Sequence, residues 1–437
     1  MGARETALNV LIACRKEAGW SNGVLKDYLS RDRLDRRDAA LATRLCYGVV
    51  QNRNLLDFYL SQLLTGKLKD LHPAVRDILH MGLYQIYLMD KIPESAAVNE
   101  SVDLAKRYCK KVRSAPGLVN GVLRNAVRTK GSLKEPRSWE DKYSHPGELI
   151  NELKSYVGKE RMEAMLRVNN DIPPMVVQVN TLKTTAEDLI RQLEEAGITV
   201  VPHSWMENAL VLSGTGSIEQ LGAFRDGLFY VQDPASKLSV LCAELPQREI
   251  KVLDCCAAPG GKSFAAAIAT DGKASITSCD VHAHKAELIA KGAERLGLPI
   301  TAQQQDATVF RPEWEHGFDA VIVDAPCSGY GIIRKKPDIR YKDIAQMREL
   351  PQLQRAILEV QCRYVKPGGL LMYSTCTLVH AENEGMVEAF IKDHPEYHLE
   401  PLPLPAPFPK NESGMQALIP GEYDTDGFFI SRLRREK

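Results

Sequence analysis

Residues 251–280, KVLDCCAAPGGKSFAAAIATDGKASITSCD, contain a short apolar strand, a glycine-containing turn, a helical stretch and a second strand in immediate succession. This order predicts an α/β doubly wound sheet, whose ligand lies beyond the carboxyl ends of the strands. The turn Pro259-Gly260-Gly261 lets the backbone approach such a ligand closely. Asp280 ends the second strand, where a carboxylate can bind the ribose hydroxyls of a nucleoside cofactor.

The same turn excludes two other nucleotide-binding classes. The string GGKS (260–263) resembles the end of a phosphate-binding loop, but the first glycine of that loop would stand at the position of Cys256. A dinucleotide fold requires G-x-G-x-x-G after its first strand, and that spacing is missing.

Three later strand ends carry acidic or thiol side chains: Asp306 after TAQQQ, Asp324 and Cys327 in FDAVIVDAPCSG, and Cys376 in GGLLMYSTCT. Neighbouring strand ends of one sheet converge, so we expect these side chains in one crevice. A thiolate that adds to carbon 6 of a pyrimidine makes carbon 5 reactive towards a methyl donor, and product release then requires loss of the carbon 5 proton. Two thiols and a carboxylate suit this chemistry, which by itself does not choose between Cys327 and Cys376 as the nucleophile.

Outward from this region, the chain divides into four predicted segments. Apolar residues at helical spacing predict an all-α domain over 1–130. Residues 131–147 are rich in Pro, Gly and charge and are predicted to be a linker. Residues 148–235 alternate helices and short strands, which favours a small α+β domain of the RNA-recognition-motif type, and 236–437 form the Rossmann-like α/β domain.

The N-terminal segment carries an excess of positive charge. Residues 1–130 contain 22 Lys and Arg against 13 Asp and Glu, whereas the whole chain contains 56 of each. No acidic residue stands between Leu104 and Lys130. This pattern is typical of a surface that contacts a phosphate backbone, although a solvated helix face would look similar. The predicted RNA contacts here are Lys106, Arg107, Lys110, Lys111 and Arg113.

The remaining composition excludes several classes. The ten cysteines contain no C-x-x-C pair and no zinc-like spacing with histidine, so we expect neither a metal site nor disulfides, and we expect Cys255 in the core. There is no apolar run of membrane-spanning length and no secretory signal, so we expect a cytoplasmic protein. A monomer is the default expectation.

Several strings resemble the successive motifs of the RNA cytosine-5 methyltransferases, namely QDPAS, DCCAAPGGKS, CDVHAHK, QQDAT, VDAPCSG, RKKPDIR, YSTCT and DGFF. The N-terminal part resembles the helical domain of the NusB family through LCYGVVQNRNLLD, MGLYQIYLMDKIPESAAVNESVDLAK and GLVNGVLRN. This combination of domains is the arrangement of bacterial methyltransferases that modify 16S ribosomal RNA.

The resemblance implies an S-adenosylmethionine-dependent enzyme that methylates carbon 5 of a cytosine in 16S ribosomal RNA, either free or in a partly assembled small subunit. It implies that Cys376 attacks carbon 6, that Cys327 helps to release the product and that Asp324 hydrogen-bonds the cytosine. The implied cofactor contacts are Cys256, Ala257, Ala258, Pro259, Gly260, Gly261, Lys262, Asp280, Asp306 and Asp324. The basic motif after Cys327 adds four predicted RNA contacts: Arg334, Lys335, Lys336 and Arg340.

Other functions remain open at this stage. The same chemistry could act on transfer RNA, or the chain could be a non-catalytic RNA-binding assembly factor that keeps the fold as a scaffold. The intact Asp324, Cys327 and Cys376 argue against the scaffold, and the NusB-like domain argues against transfer RNA. A DNA methyltransferase would use the proline–cysteine thiol and leave Cys376 without a purpose.

Overall fold

The computed structural model of this protein describes residues 2–17 and 21–436. The chain forms two compact units. Unit 1 consists of Met1–Lys154, Lys159–Asp171 and Ile333–Lys342, and unit 2 consists of Ser155–Gly158, Ile172–Ile332 and Asp343–Lys437. The helical pattern predicted over 1–130 also includes residues 18–20, which lie outside the described residues.

The N-terminal stretch predicted to be all-α contains α1 (Ala3–Glu17), α2 (Ser21–Asp32), α3 (Arg36–Gln51), α4 (Arg53–Leu63), α5 (Pro73–Leu88), α6 (Glu94–Tyr108) and α7 (Ala115–Arg128). Three further helices follow it: α8 (Trp139–Tyr143), α9 (Gly147–Val157) and α10 (Lys159–Val168). Asp35 begins α3 by accepting a hydrogen bond from the Asp38 amide. Helix α5 is buried along most of its length. It also packs closely on α7: at Gly82 the two helices are so near that an added Cβ atom would lie 2.6 Å from the Leu123 side chain. Unit 1 therefore has its core around α5.

The stretch predicted to be a linker, 131–147, folds into unit 1 instead. It contains α8, and its residues Tyr143, Ser144 and His145 are buried. His145 Nδ1 lies 2.6 Å from the carbonyl oxygen of Tyr143, and its Nε2 contacts Asn169 Nδ2 at 3.3 Å. Helix α10 also belongs to unit 1, so the boundary predicted between 147 and 148 does not separate compact units.

Unit 2 begins with a four-stranded antiparallel sheet in the order β2-β3-β1-β4. Its elements are β1 (Met175–Val179), α11 (Ala186–Glu195), β2 (Thr199–Pro202), β3 (Ala209–Ser213), α12 (Gly222–Arg225) and β4 (Phe229–Val231). Leu189 and Leu193 of α11 pack with the buried faces of these strands. This is the predicted small α+β domain.

The second sheet of unit 2 contains β5 (Lys251–Asp254), β6 (Ser275–Asp280), β7 (Ile300–Gln304), β8 (Phe318–Asp324), β9 (Val365–Thr375), β10 (Tyr397–Leu399), β11 (Met415–Leu418) and β12 (Phe428–Arg435). The order is β10-β12-β9-β8-β5-β6-β7, with β11 paired to β12. Strands β5 to β9 are parallel, and β12 joins β9 in the antiparallel direction. The helices are α13 (Pro234–Leu241), α14 (Gly261–Ala269), α15 (Ala283–Leu296), α16 (Ile344–Met347), α17 (Leu350–Gln361) and α18 (Glu384–Asp393).

The chain proceeds from β5 to β6 on one side, whereas β8 lies on the other side of β5. The carboxyl ends of these strands therefore open at a switch point, where doubly wound folds bind their ligands. The predicted Rossmann-like domain is confirmed, with an antiparallel edge added to it.

None of the described helices is long and apolar enough to cross a bilayer. No group of three or more His, Cys, Asp or Glu side chains among these residues could hold a metal ion.

Candidate active site

Two thiols meet at the carboxyl ends of β8 and β9. Cys376 directly follows β9, and Cys327 lies three residues after the end of β8. Because the two strands are parallel neighbours, with Asp324 beside Ser374, the two loops leave the sheet together. The Sγ atoms of Cys327 and Cys376 are 3.3 Å apart, and both side chains are partly exposed. A substrate atom that reaches one thiol therefore lies within reach of the other.

The surroundings of Cys327 favour its protonated form. Its contact with the Cys376 thiol, the partial burial of its side chain and the negative charges of Cys376, Glu382 and Asp324 raise the pKa of Cys327 well above its usual range. A thiol with a raised pKa is a weak nucleophile near neutral pH. Cys327 is thus held as a thiol beside Cys376.

Asp324 is the third group at this edge. Lys262 Nζ donates to Asp324 Oδ2 at 2.6 Å, and Ser374 Oγ donates to Asp324 Oδ1 at 3.0 Å. Lys262 is nearly buried, also donates to Ser236 Oγ at 2.9 Å and lies 5.0 Å from the centroid of the Phe428 ring. These contacts fix the direction of the carboxylate, which retains lone pairs for a substrate donor.

The turn after β5 has the close backbone approach that the sequence predicts. Gly260 has φ +110°, a conformation that other residues rarely adopt, and a Cβ atom there would lie 2.4 Å from the Phe264 ring. Ala257 and Gly260 are buried, whereas Cys256, Ala258, Pro259 and Gly261 are partly or fully exposed. The open face of the turn therefore presents backbone rather than bulky side chains.

The acidic strand ends differ in their surroundings. Asp280 is 7% exposed, and its Oδ1 accepts a hydrogen bond from the His282 amide at 3.0 Å. Asp306 is exposed and accepts from the amide and hydroxyl of Thr308. Asp254 is fully buried and accepts from Ser263 Oγ at 2.7 Å. Asp306 is thus open to a ligand and Asp280 has a small exposed area, whereas Asp254 lies in the interior and holds the first turn of α14.

The predicted basic surface of unit 1 divides into paired and unpaired residues. Lys106 forms an ion pair with Asp103, and Arg107 forms one with Glu5. Lys110, Lys111 and Arg113 are exposed, and no ion pair joins them to another described residue. These three cations are therefore the part of the surface most available to phosphates.

The RNA contact predicted for Arg340 is wrong. Its side chain is 2% exposed, and its guanidinium donates to four backbone carbonyls and one amide oxygen: Gln51 O, Tyr143 O, Ser144 O, Asn169 O and Asn170 Oδ1. Burial lowers the pKa of Arg340 to about 10. Gln51 is the last residue of α3, so the cation also stabilises the carbonyl end of that helix. Arg340 is a structural residue of unit 1.

The other three basic residues of this motif remain predicted RNA contacts. Lys336 is exposed, and Arg334 and Lys335 are partly exposed. Sequence analysis also overlooked two buried polar residues, Glu382 and Asn383, which lie beside the thiol loops. Their only signal is a pair of polar residues shortly after Cys376, and the pattern alone does not indicate that they are buried.

Comparison with known sequences assigns a family to each part of the chain. Residues 242–434 match the family described as 16S rRNA methyltransferase RsmB/F. Residues 1–128 match the NusB family. Residues 145–219 match the ferredoxin-like domain of RsmF/B-like methyltransferases.

Relatives match over the whole length. The "Probable ribosomal RNA small subunit methyltransferase B" of Bacillus subtilis is 35% identical over 99% of this chain and 98% of its own. The "Ribosomal RNA small subunit methyltransferase B" of Vibrio cholerae is 36% identical over 92% of this chain and 90% of its own. The crystal structure of PH0851 superposes with a TM-score of 0.82 at 26% identity and covers 100% of this chain and 99% of its own. NSun6 from Pyrococcus horikoshii shares the fold, with a TM-score of 0.58 at 22% identity over 67% of this chain and 98% of its own.

Proposed function

The chain belongs to the RsmB/F family of 16S rRNA methyltransferases and is an rRNA methyltransferase, and from this premise we propose that it methylates carbon 5 of a cytosine in 16S rRNA. The proposal further states that the methyl donor is S-adenosylmethionine and that the cytosine is held by a covalent bond to Cys376 during the reaction.

The observation that carries the proposal is the pair of thiols beside a carboxylate. Carbon 5 of cytosine is too weak a nucleophile to attack a methyl donor directly, whereas addition of a thiolate to carbon 6 makes it enamine-like. Methylation of an exocyclic nitrogen or a ribose hydroxyl needs no thiol. The 3.3 Å separation of Cys327 and Cys376, next to Asp324, therefore favours carbon 5 chemistry.

The residues around β5 and β6 fit the proposed cofactor. The glycines after β5 leave no side chain over the turn, and Gln232 Oε1, close to Gly261, is buried without a hydrogen-bond partner. We assign the cofactor to the turn residues 256–261 with Asp280 and Asp306, whose carboxylates can accept hydrogen bonds from a nucleoside. S-adenosylmethionine supplies the methyl group when it is bound there.

Cys376, Asp324 and Cys327 have different roles in the proposed reaction. The Cys376 thiolate adds to carbon 6 and forms a sulfur–carbon bond, while Asp324, held by Lys262, accepts a hydrogen bond from the cytosine amine. Once carbon 5 is methylated, its proton passes to solvent water, which reaches the partly exposed thiols, and the double bond between carbon 5 and carbon 6 is restored. The sulfur–carbon bond breaks at the same time and returns Cys376 as a thiolate. Cys327 lies 3.3 Å from Cys376 Sγ and so is placed to assist this release.

Access to carbon 6 requires the cytosine to leave its stack in the RNA, at a cost of a few kcal/mol that contacts in the crevice offset. We assign binding of the RNA that flanks this cytosine to the basic surface of unit 1, chiefly to Lys110, Lys111 and Arg113. Contacts to phosphates position RNA without reading its sequence.

The decisive experiment traps the covalent intermediate. Cys327→Ala protein is mixed with 16S rRNA and S-adenosylmethionine, and the products are separated on a denaturing gel. We expect a protein–RNA adduct that disappears in the Cys327→Ala/Cys376→Ala double variant. Cys362→Ala, which removes a buried thiol elsewhere in unit 2, serves as the matched control and should turn over without accumulating adduct.

Other outcomes would change the proposal in defined ways. An adduct that requires Cys327 would exchange the roles of the two thiols. Adduct formation with transfer RNA but not with 16S rRNA would change the substrate. If the wild type forms no adduct and transfers no methyl group to cytosine, the proposed chemistry is wrong.

A further inference from the structure

The two residues that flank Cys376 are held by a single side chain. Thr375 Oγ1 donates to Asn383 Oδ1 at 2.6 Å, and Asn383 Nδ2 donates to the carbonyl oxygen of Thr377 at 3.0 Å. Asn383 is fully buried. The amide therefore holds the Thr375 side chain on one side of Cys376 and the Thr377 backbone on the other.

The two residues that flank Cys327 are held by two linked side chains. Glu382 accepts from the Ser328 amide at 3.0 Å and from the Ser328 hydroxyl at 2.6 Å. Gln354 Nε2 donates both to Glu382 Oε2 at 2.8 Å and to the carbonyl oxygen of Pro326 at 3.0 Å. Glu382 thus fixes the loop that carries Cys327.

A direct hydrogen bond joins the two loops. Ser328 Oγ and Thr377 Oγ1 are 2.5 Å apart. Because the Ser328 hydroxyl donates its one proton to Glu382, Thr377 is the donor in this bond. The six residues whose side chains form the network are at most 2% exposed, and an unsatisfied polar group in such a place is costly. The two loops consequently have one favoured separation.

We propose that Glu382 and Asn383 are positioning residues that set the separation between the Cys327 and Cys376 thiols for methyl transfer. This inference rests on the proposed function, because only a reaction that uses both thiols needs their separation fixed. Neither side chain touches the substrate; each acts through the residues next to a thiol. Displacement of a reacting group by about 1 Å can lower a rate by about 100-fold.

Thiol proximity can be measured without RNA or cofactor. Phenylarsine oxide bridges two neighbouring thiols through one arsenic atom, forming two sulfur–arsenic bonds and releasing the oxide oxygen with both thiol protons as water. The rate at which the Cys327 and Cys376 peptides become joined, followed by mass spectrometry of the digested protein, reports the separation. Wild-type protein should bridge this pair rapidly.

Asn383→Ala and Glu382→Ala should bridge at least about 10-fold more slowly. Both should also lower kcat by about 10- to 100-fold, with KM for RNA and cofactor within about threefold of wild type. Thr377→Val removes only the bond between the loops while keeping the side-chain volume. It should give a smaller effect of the same kind and remains informative if either alanine variant fails to fold.

Two controls separate positioning from stability. Tyr397→Phe removes a buried hydrogen bond, from Tyr397 Oη to the carbonyl oxygen of Cys362 at 2.6 Å, and Glu388→Ala changes an exposed residue of α18. Neither should alter bridging or kcat. If the folded Thr377, Glu382 and Asn383 variants bridge and turn over like these controls, the positioning role is overturned. If wild-type protein transfers no methyl group, the proposed function fails, and the bridging rates still decide whether the network sets the thiol separation.

Discussion

Lys262 Nζ lies 2.6 Å from Asp324 Oδ2, with the lysine side chain 8% exposed and the aspartate 30% exposed. The ammonium offsets the negative charge of a carboxylate that stands beside two thiols. Without it, the charge of Asp324 would oppose formation of a second negative charge on Cys376. We therefore expect Lys262→Met to lower the single-turnover rate of methyl transfer by about 100-fold.

The matched control for this variant is Lys273→Met, because Lys273 forms an ion pair with Asp271 on the surface of unit 2. That variant should retain the wild-type rate. A Lys262→Met rate within about twofold of wild type would show that Asp324 needs no partner for the reaction.

Sequence reasoning placed the two thiols and Asp324 together, because parallel strands bring their carboxyl ends to one edge. It did not find the partner of Asp324, since the position of Lys262 at the start of α14 does not fix the direction of a long flexible side chain. Composition was misleading at 131–147, where Pro and Gly favoured a linker but Tyr143 and His145 are buried in unit 1. A basic motif was likewise misread at Arg340, whose acceptors come from three separate places in the chain.

Arg340 provides a prediction about stability. Arg340→Met removes a buried donor that serves five acceptors, and we expect the free energy of unfolding of the protein to fall by about 3 kcal/mol. Urea denaturation measures this loss. The salt dependence of RNA binding should stay unchanged. Lys336→Met, at an exposed position of the same motif, should leave stability unchanged. A weakened RNA affinity with wild-type stability for Arg340→Met would restore the original prediction.

The basic surface of unit 1 provides a prediction about binding. Charge reversal of Lys110, Lys111 and Arg113 should weaken RNA binding and lower the slope of log affinity against log salt by about 2 to 3, because each phosphate contact releases a counterion. Titrations at several salt concentrations measure the slope. Lys392→Glu, a reversal at an exposed residue of α18, is the control. An unchanged slope for the triple variant would remove these residues from the RNA surface.

The raised pKa of Cys327 predicts the order in which the thiols react. At pH 8 iodoacetamide should modify Cys376 at least about 10-fold faster than Cys327, because the thiolate is the reactive form. The contact with Cys376 is the largest cause of the raised pKa, so Cys376→Ala should make Cys327 react faster than it does in the wild type. Mass spectrometry of the modified peptides gives both rates. Equal modification of the two thiols in the wild type would contradict this assignment.

The raised pKa of Asp254 predicts how the stability of the protein depends on pH. Burial raises the pKa of Asp254 to about 6 in the folded chain, against an ordinary value of 3.8. The folded chain therefore holds this proton more tightly than the unfolded chain does. The stabilisation of the folded protein that comes from binding this proton is complete below about pH 4 and is lost as pH rises through about 6.

Asp254→Asn abolishes this titration. As pH rises from 5 to 8, the free energy of unfolding of the variant should therefore increase by about 1 to 2 kcal/mol relative to that of the wild type. Urea denaturation at intervals across that range measures the gain. Asp271→Asn, at an exposed carboxylate in the same unit, should differ from wild type by a constant amount. Because Ser263 Oγ can still donate to the amide oxygen, the variant keeps the hydrogen bond between β5 and α14. Parallel stability curves for Asp254→Asn and wild type would mean that this carboxyl group keeps its ordinary pKa in the folded protein.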